Sequence, residues 1–174
     1  MNGKSKATRE EAPTLPSPVA TGEGQRMKAL TLWQPWATFV AHGLKTVETR
    51  SWDTRYRGWL AIHAAAQMPA VIVKACRGGR FAGWLEKLGY TVETLPRGVV
   101  VCKADLITTF QTTAECTVSS FEYQFGDYTP GRFGWAFGVI VRYVEPVKAR
   151  GQMGLWDWIE PDGIRKGLVR RVQD

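Results

Sequence analysis

The chain has 174 residues, 23 Lys+Arg against 16 Asp+Glu, a net charge of +7 and 44% hydrophobic residues. That length fits one domain with a tail, the apolar fraction is ordinary for a globular protein, and no run approaches the roughly 18 apolar residues of a membrane span. Three cysteines (Cys76, Cys102, Cys116) without a Cys-x-x-Cys pair, and only two histidines, speak against a disulfide framework and a multi-histidine metal site. No metal or cofactor is expected. The basic balance favours a polyanionic partner such as nucleic acid, the bland alternative being a solvated basic surface.

Residues 1–27 differ from the rest. Met1–Gln25 has no aromatic residue and carries Pro13, Pro16, Pro18, Gly22 and Gly24. Such a segment cannot bury enough surface to offset its ordering entropy, so residues 1–27 are expected to be a disordered tail and 28–174 the domain. An apolar pattern starts directly after Met27, so Met27 is one candidate for the true start. The tail holds four basic and three acidic residues, so the basic excess belongs to the domain. The N-terminus lacks the apolar core of a signal peptide, and a cytoplasmic, monomeric protein is expected.

Leu30–Trp33 reads as a short strand. Pro35 suits a first helical turn, Trp36, Phe39 and Val40 share one helical face, and Gly43 stands where a left-handed C-terminal cap belongs, which predicts a helix over Pro35–His42. Thr46–Trp52 and Trp59–Ala64 read as strands. Residues 68–89 are helical in pattern, broken at Gly78-Gly79. Val99–Phe110 and Phe133–Val144 are long strands, with Cys102 as a small core residue, and 112–130 reads as a loop. The segment Gly151–Trp158 reads as a closing turn that docks two tryptophans, followed by a basic stretch over Ile164–Val172. Five or six strands with few helices suggest an α+β fold built on a small mixed barrel.

One stretch concentrates chemistry. Between Trp33 and Gly58 lie Trp33, Trp36 and Trp52, the cations Lys45, Arg50, Arg55 and Arg57, and Glu48. Flat rings interleaved with fixed cations can stack bases and hold phosphates. In an extended strand Glu48, Arg50 and Trp52 share a face, and Lys45 in the turn before it can swing toward Glu48. Either Glu48 and Arg50 form a structural pair, or Lys45 and Arg50 meet phosphate while Glu48 orients Lys45 or takes a proton. Lys45 is expected at the mouth of the cleft. Trp33, Trp36, Trp52 and Trp59 read first as core, with Trp36 and Trp52 the best stacking candidates. Gln34 either reads a base edge or caps the helix after it. Arg55 and Arg57 are either solvated or extend a phosphate track, and His63 is either a core residue or lines the pocket.

The segments Leu30-Thr31-Leu32-Trp33-Gln34-Pro35-Trp36-Ala37, Gly43-Leu44-Lys45-Thr46-Val47-Glu48-Thr49-Arg50-Ser51-Trp52 and Tyr56-Arg57-Gly58 resemble the ASCH domain (activating-signal-cointegrator homology). The Gly43-x-Lys45-x-x-Glu48-x-Arg50 pattern is similar to that family's signature. The resemblance covers about residues 28–158. It implies a PUA-like fold, a small β-barrel with flanking helices, whose cleft takes RNA or a modified base. RNA or single-stranded nucleic acid is the expected partner, and the residue chemistry above makes Gln34, Trp36, Lys45, Arg50, Trp52, Arg55, Arg57 and His63 the candidate contacts. The alternative that the resemblance implies is a hydrolase of RNA or of an acylated cytidine. Lys45 matches a catalytic lysine of the family's amidohydrolases, whereas Glu48 stands where they have threonine.

Overall fold

The computed structural model describes residues 24–115 and 118–170, the side chain of Arg170 excepted. Most of the expected tail, and Cys116, lie outside them. Among the described residues seven strands and four helices run in the order β1 (Gln25–Leu32), α1 (Trp36–Ala41), β2 (Val47–Arg50), β3 (Gly58–Ala64), α2 (Ala70–Gly78), α3 (Ala82–Lys87), β4 (Val99–Gln111), α4 (Ser120–Tyr123), β5 (Phe133–Lys148), β6 (Leu155–Glu160) and β7 (Lys166–Arg170). The first strand starts three residues before the expected domain boundary, and Met27 is buried in it. α1 ends as its sequence predicts, with Gly43 at φ 70°. The Gly78-Gly79 pair separates α2 from α3, Gly79 being extended. Two elements were not expected: α4 inside the loop, and β7 in the basic C-terminal stretch.

All seven strands form one mixed sheet in the order β2-β5-β4-β3-β1-β6, with β7 also on β5. β1 and β3 pair in parallel and the other neighbours are antiparallel. The path is open, ending at β2 and β6, so a closed barrel is not formed among the described residues. The sheet nevertheless curls. Four inter-strand steps separate β2 from β1, about 19 Å if flat. Yet Arg50 Nη2 of β2 donates to the Thr31 carbonyl of β1 at 2.9 Å. Register shifts at three places along the β4–β5 ladder supply the bending.

The hollow of this curl holds the main core. Leu30, Leu32, Leu60, Ile62, Ala104, Leu106, Trp135, Phe137 and Ile140 pack there around Ala37, Val40 and Ala41 of α1. Phe39, on another side of α1, joins Cys76, Phe81, Leu85 and Phe125, which seats α2 and α3 beside the sheet. A third cluster packs Trp156 and Trp158 of β6 onto Met27, Ala29 and Tyr143, the two tryptophans docking as their spacing suggests. Cys76 and Cys102 are free and buried; burial pushes the Cys76 thiol up to about 11 and that of Cys102 further.

Behind the sheet, Glu160 collects a buried network. Its carboxylate meets Lys103 Nζ at 2.9 Å, Lys166 Nζ at 3.0 Å and the Tyr143 hydroxyl at 2.6 Å, while Lys103 also reaches Gln25 Oε1 at 3.2 Å. Burial alone would raise the Glu160 carboxyl, but the hydrogen bonds from Tyr143, Lys103 and Lys166 together hold it below its ordinary value. Removing one partner from such a network leaves the other charge buried and uncompensated.

The two histidines set a pH dependence. Burial lowers both; Arg142 lowers His42 further, whereas the bond from His63 to the Ala149 carbonyl opposes the shift. The unfolded chain therefore binds more protons than the folded one below about pH 6.5. Stability is fully present above that value and is lost as pH falls through the folded-state values. Melting at about pH 5.5 is expected several degrees below melting at about pH 7.5; equal midpoints would show that neither ring resists protonation.

Candidate nucleic-acid interface

The curl leaves a cleft of about 750 Å³ between the end of β1, β2, the loop 123–132 and the loop 152–154. Its size is that of a small-molecule or nucleotide site. Each wall follows from local sequence. β1 stops at Leu32 and α1 starts at Trp36, so the connection between them crosses the mouth and leaves Trp33 53% exposed. Trp36 donates its indole N–H to the Phe125 carbonyl at 2.7 Å. Trp52 stands edge-on to Trp135 at 4.7 Å and lines the cleft, only partly buried. Tyr123, 57% exposed, stacks on Tyr128 at 5.5 Å on the facing wall.

Lys45 does not lie exposed at the mouth. Its side chain is 1% exposed, and its ammonium donates to the carbonyls of Val47 at 2.6 Å and Phe125 at 3.1 Å and meets Glu48 Oε2 at 3.5 Å. Three acceptors match the three ammonium protons. The loop 122–128 folds over Lys45, which a reading of residues 43–52 alone could not include. Glu48 also meets Arg50 Nε at 3.4 Å, so the expected ion pair forms and is shared with Lys45. Arg50 is left with a quarter of its side chain open to the cleft.

The clamp on this loop is Glu122. Its carboxylate is buried and accepts from the Thr46 amide and hydroxyl at 2.9 Å each, the Val47 amide at 3.2 Å and the Tyr128 hydroxyl at 3.2 Å. Ser119 caps the short helix that carries it, its hydroxyl accepting from the Glu122 amide at 3.1 Å. The Ser119-x-x-Glu122 spacing is a helix-start signal that the sequence contained.

Four expected site residues are elsewhere. Gln34 is fully buried: its Oε1 accepts from the Thr38 amide at 3.1 Å and its Nε2 donates to the Pro96 carbonyl at 2.6 Å. It satisfies a helix-start N–H, the capping alternative, and has no free edge for a base. Arg57 is exposed but bonded to the carbonyls of Thr54 and Tyr56 and the hydroxyl of Thr109, and neither it nor the exposed Arg55 lines the cleft. His63 is buried and donates to the Ala149 carbonyl at 3.1 Å behind the loop that forms one wall. Gly151 passes so close to that ring that a Cβ there would come within 2.4 Å of it.

Sequence reading missed Arg132, Arg80 and Asp127. Arg132 Nε meets Asp127 Oδ2 at 3.4 Å, with 30% of the side chain exposed toward the cleft. Asp127 is held below the ordinary carboxylate value by the Thr129 hydroxyl and amide, against an opposing effect of burial, and Arg132 contributes least. Arg80 lies over the Phe81 ring at the rim. The cleft thus carries Lys45, Arg50, Arg80 and Arg132 against Glu48 and Asp127, an excess of positive charge.

The model of the ASCH domain family matches residues 30–148, more than half of the chain. This chain belongs to the ASCH domain family. The family is generally linked to RNA binding. A stretch of 41 residues is 49% identical to activating signal cointegrator 1 of Homo sapiens and 46% identical to that of Mus musculus. It covers 24% of this chain and 7% of each relative, so the likeness is to a small part of those proteins. Lys45, Glu48 and Arg50 lie within the matched residues and line the cleft described above. Among the described residues no group of three or more histidine, cysteine or acidic side chains could hold a metal ion, and no helix is long and apolar enough to cross a membrane.

Proposed function

We propose that this ASCH domain binds single-stranded RNA in the cleft. Arg50 and Arg132 contact phosphates from opposite sides, Arg80 adds charge at the rim, and Trp33 stacks a base at the mouth, with Trp52 beside it. The observation that carries this reading is an exposed indole, Trp33, at the entrance of a cleft flanked by two partly open arginines. A large ring held half in water by a chain crossover has no packing reason to be there, whereas a base supplies a flat apolar partner. The PUA-like barrel belongs to the same reading, since the sheet curls in the direction that closes one.

The test is fluorescence anisotropy of labelled single-stranded RNA across a salt series. Two or three phosphate contacts give a slope of log K against log salt of about −1.4 to −2.1 for a single strand. A flat series would remove phosphate contacts as the source of affinity.

A hydrolase of RNA or of an acylated cytidine is the second reading, and the Lys45–Glu48 contact at the cleft floor supports it. Against it stands the full set of acceptors around the Lys45 ammonium, which leaves no donor for a substrate. Mass analysis of RNA and acetylated cytidine after incubation decides between the two: intact material supports the binding module, new products the enzyme.

A further inference from the structure

A second polar cavity shares no lining residue with the cleft. It encloses about 100 Å³ between the C-terminal end of α1, the segment around Tyr90 and Pro96, and the outer half of β5. Its polar lining residues are Thr38, His42, Tyr90, Arg142 and Tyr143, the last with its hydroxyl already on Glu160. Arg142 Nη1 lies 3.2 Å and the Tyr90 hydroxyl 3.3 Å from the same nitrogen, His42 Nε2. An arginine has only donors, so His42 Nε2 carries the lone pair and its proton sits on Nδ1. Arg142 and Tyr90 therefore compete for one lone pair. Thr38 lines the cavity and is 1% exposed, and its hydroxyl has no hydrogen-bond partner. Among the described residues Arg142 pairs with no carboxylate.

Donors thus outnumber acceptors, a cation lacks a counter-ion, and a buried hydroxyl is idle. Water could hydrate both groups, whereas an anion would also offset the charge of the partly buried Arg142. The space exceeds the roughly 30 Å³ that one water occupies in the liquid. A compact, acceptor-rich anion satisfies all three conditions at once. We propose that this cavity is a phosphate site, with Arg142 supplying the charge and the Thr38 and Tyr90 hydroxyls donating to its oxygens. The source is either free inorganic phosphate or the terminal phosphate of an oligonucleotide.

Titration of the full chain with inorganic phosphate, followed by amide NMR with chloride as control, tests the site. Shifts at Thr38, His42, Tyr90 and Arg142 that saturate at low-millimolar phosphate are expected. Arg142→Gln should weaken binding about tenfold or more, Thr38→Val by about threefold, and Arg50→Gln in the cleft should leave it unchanged. If Arg142→Gln fails to fold, Thr38→Val combined with Tyr90→Phe carries the same test. A dinucleotide with and without a 5′-phosphate separates the sources: matching shifts from the phosphorylated form alone point to a strand end, and from inorganic phosphate alone to the free ion. The proposal is overturned if these four residues respond to neither probe, respond equally to chloride, or shift only together with the cleft.

Discussion

Lys45→Met should destabilise the domain by about 3–5 kcal/mol, the cost of removing one partner from a buried ion pair. The methionine fills the same volume but leaves the Val47 and Phe125 carbonyls without their donor and Glu48 with Arg50 alone. In a domain of this size that amounts to a melting point lower by about 10 °C or more. Lys28→Met is the control: Lys28 pairs with Asp157 at 3.0 Å on the surface and should cost less than about 1 kcal/mol. A Lys45→Met melt within a degree or two of wild type would show that the ammonium does not hold the 122–128 loop. One consequence is practical. Loss of RNA binding in a Lys45 variant reports a damaged cleft, so the lysine is a poor probe of contact with RNA.

Trp33→Ala should have the opposite profile. Half of the ring is already in water, and it belongs to none of the buried clusters, so stability should change by about 0.5 kcal/mol or less. If Trp33 stacks a base, affinity for single-stranded RNA should fall by about 1–3 kcal/mol, roughly 5- to 150-fold. Trp33→Phe should recover part of the loss, because a smaller ring still stacks. Anisotropy titrations of the three proteins read this directly. Equal affinity in Trp33→Ala would remove the indole from the binding surface.

The elements that depend on local pattern were legible in the sequence. The helix between Pro35 and Gly43, the break at Gly78-Gly79, the two long strands and the two docking tryptophans of β6 all follow from periodicity and turn chemistry within a few residues. What depends on distant chain was not. Lys45 follows a glycine cap and precedes a strand, which locally reads as an exposed turn; the loop that buries it comes 80 residues later, with Phe125. Arg132 was missed for the same reason, because it reaches the cleft only when β5 pairs with β2. Gln34 could be placed only as one of two alternatives, and the Pro96 carbonyl decides for the structural one. Trp33 read as core because large aromatics usually are; its exposure comes from the crossing of β1 into α1. The open path of the sheet was hidden because strand count and order alone do not say whether the first and last strands meet.

Photo-crosslinking tests the central claim most directly. A short single-stranded RNA carrying 4-thiouridine is irradiated with the full chain, and the modified peptides are mapped by mass spectrometry. RNA bound in the cleft predicts adducts at Trp33, Trp52 or Tyr123, lost in the presence of excess unlabelled RNA. Adducts confined to the exposed arginines 55 and 57 or to the β7 side of the sheet, with the cleft unmodified, would contradict it.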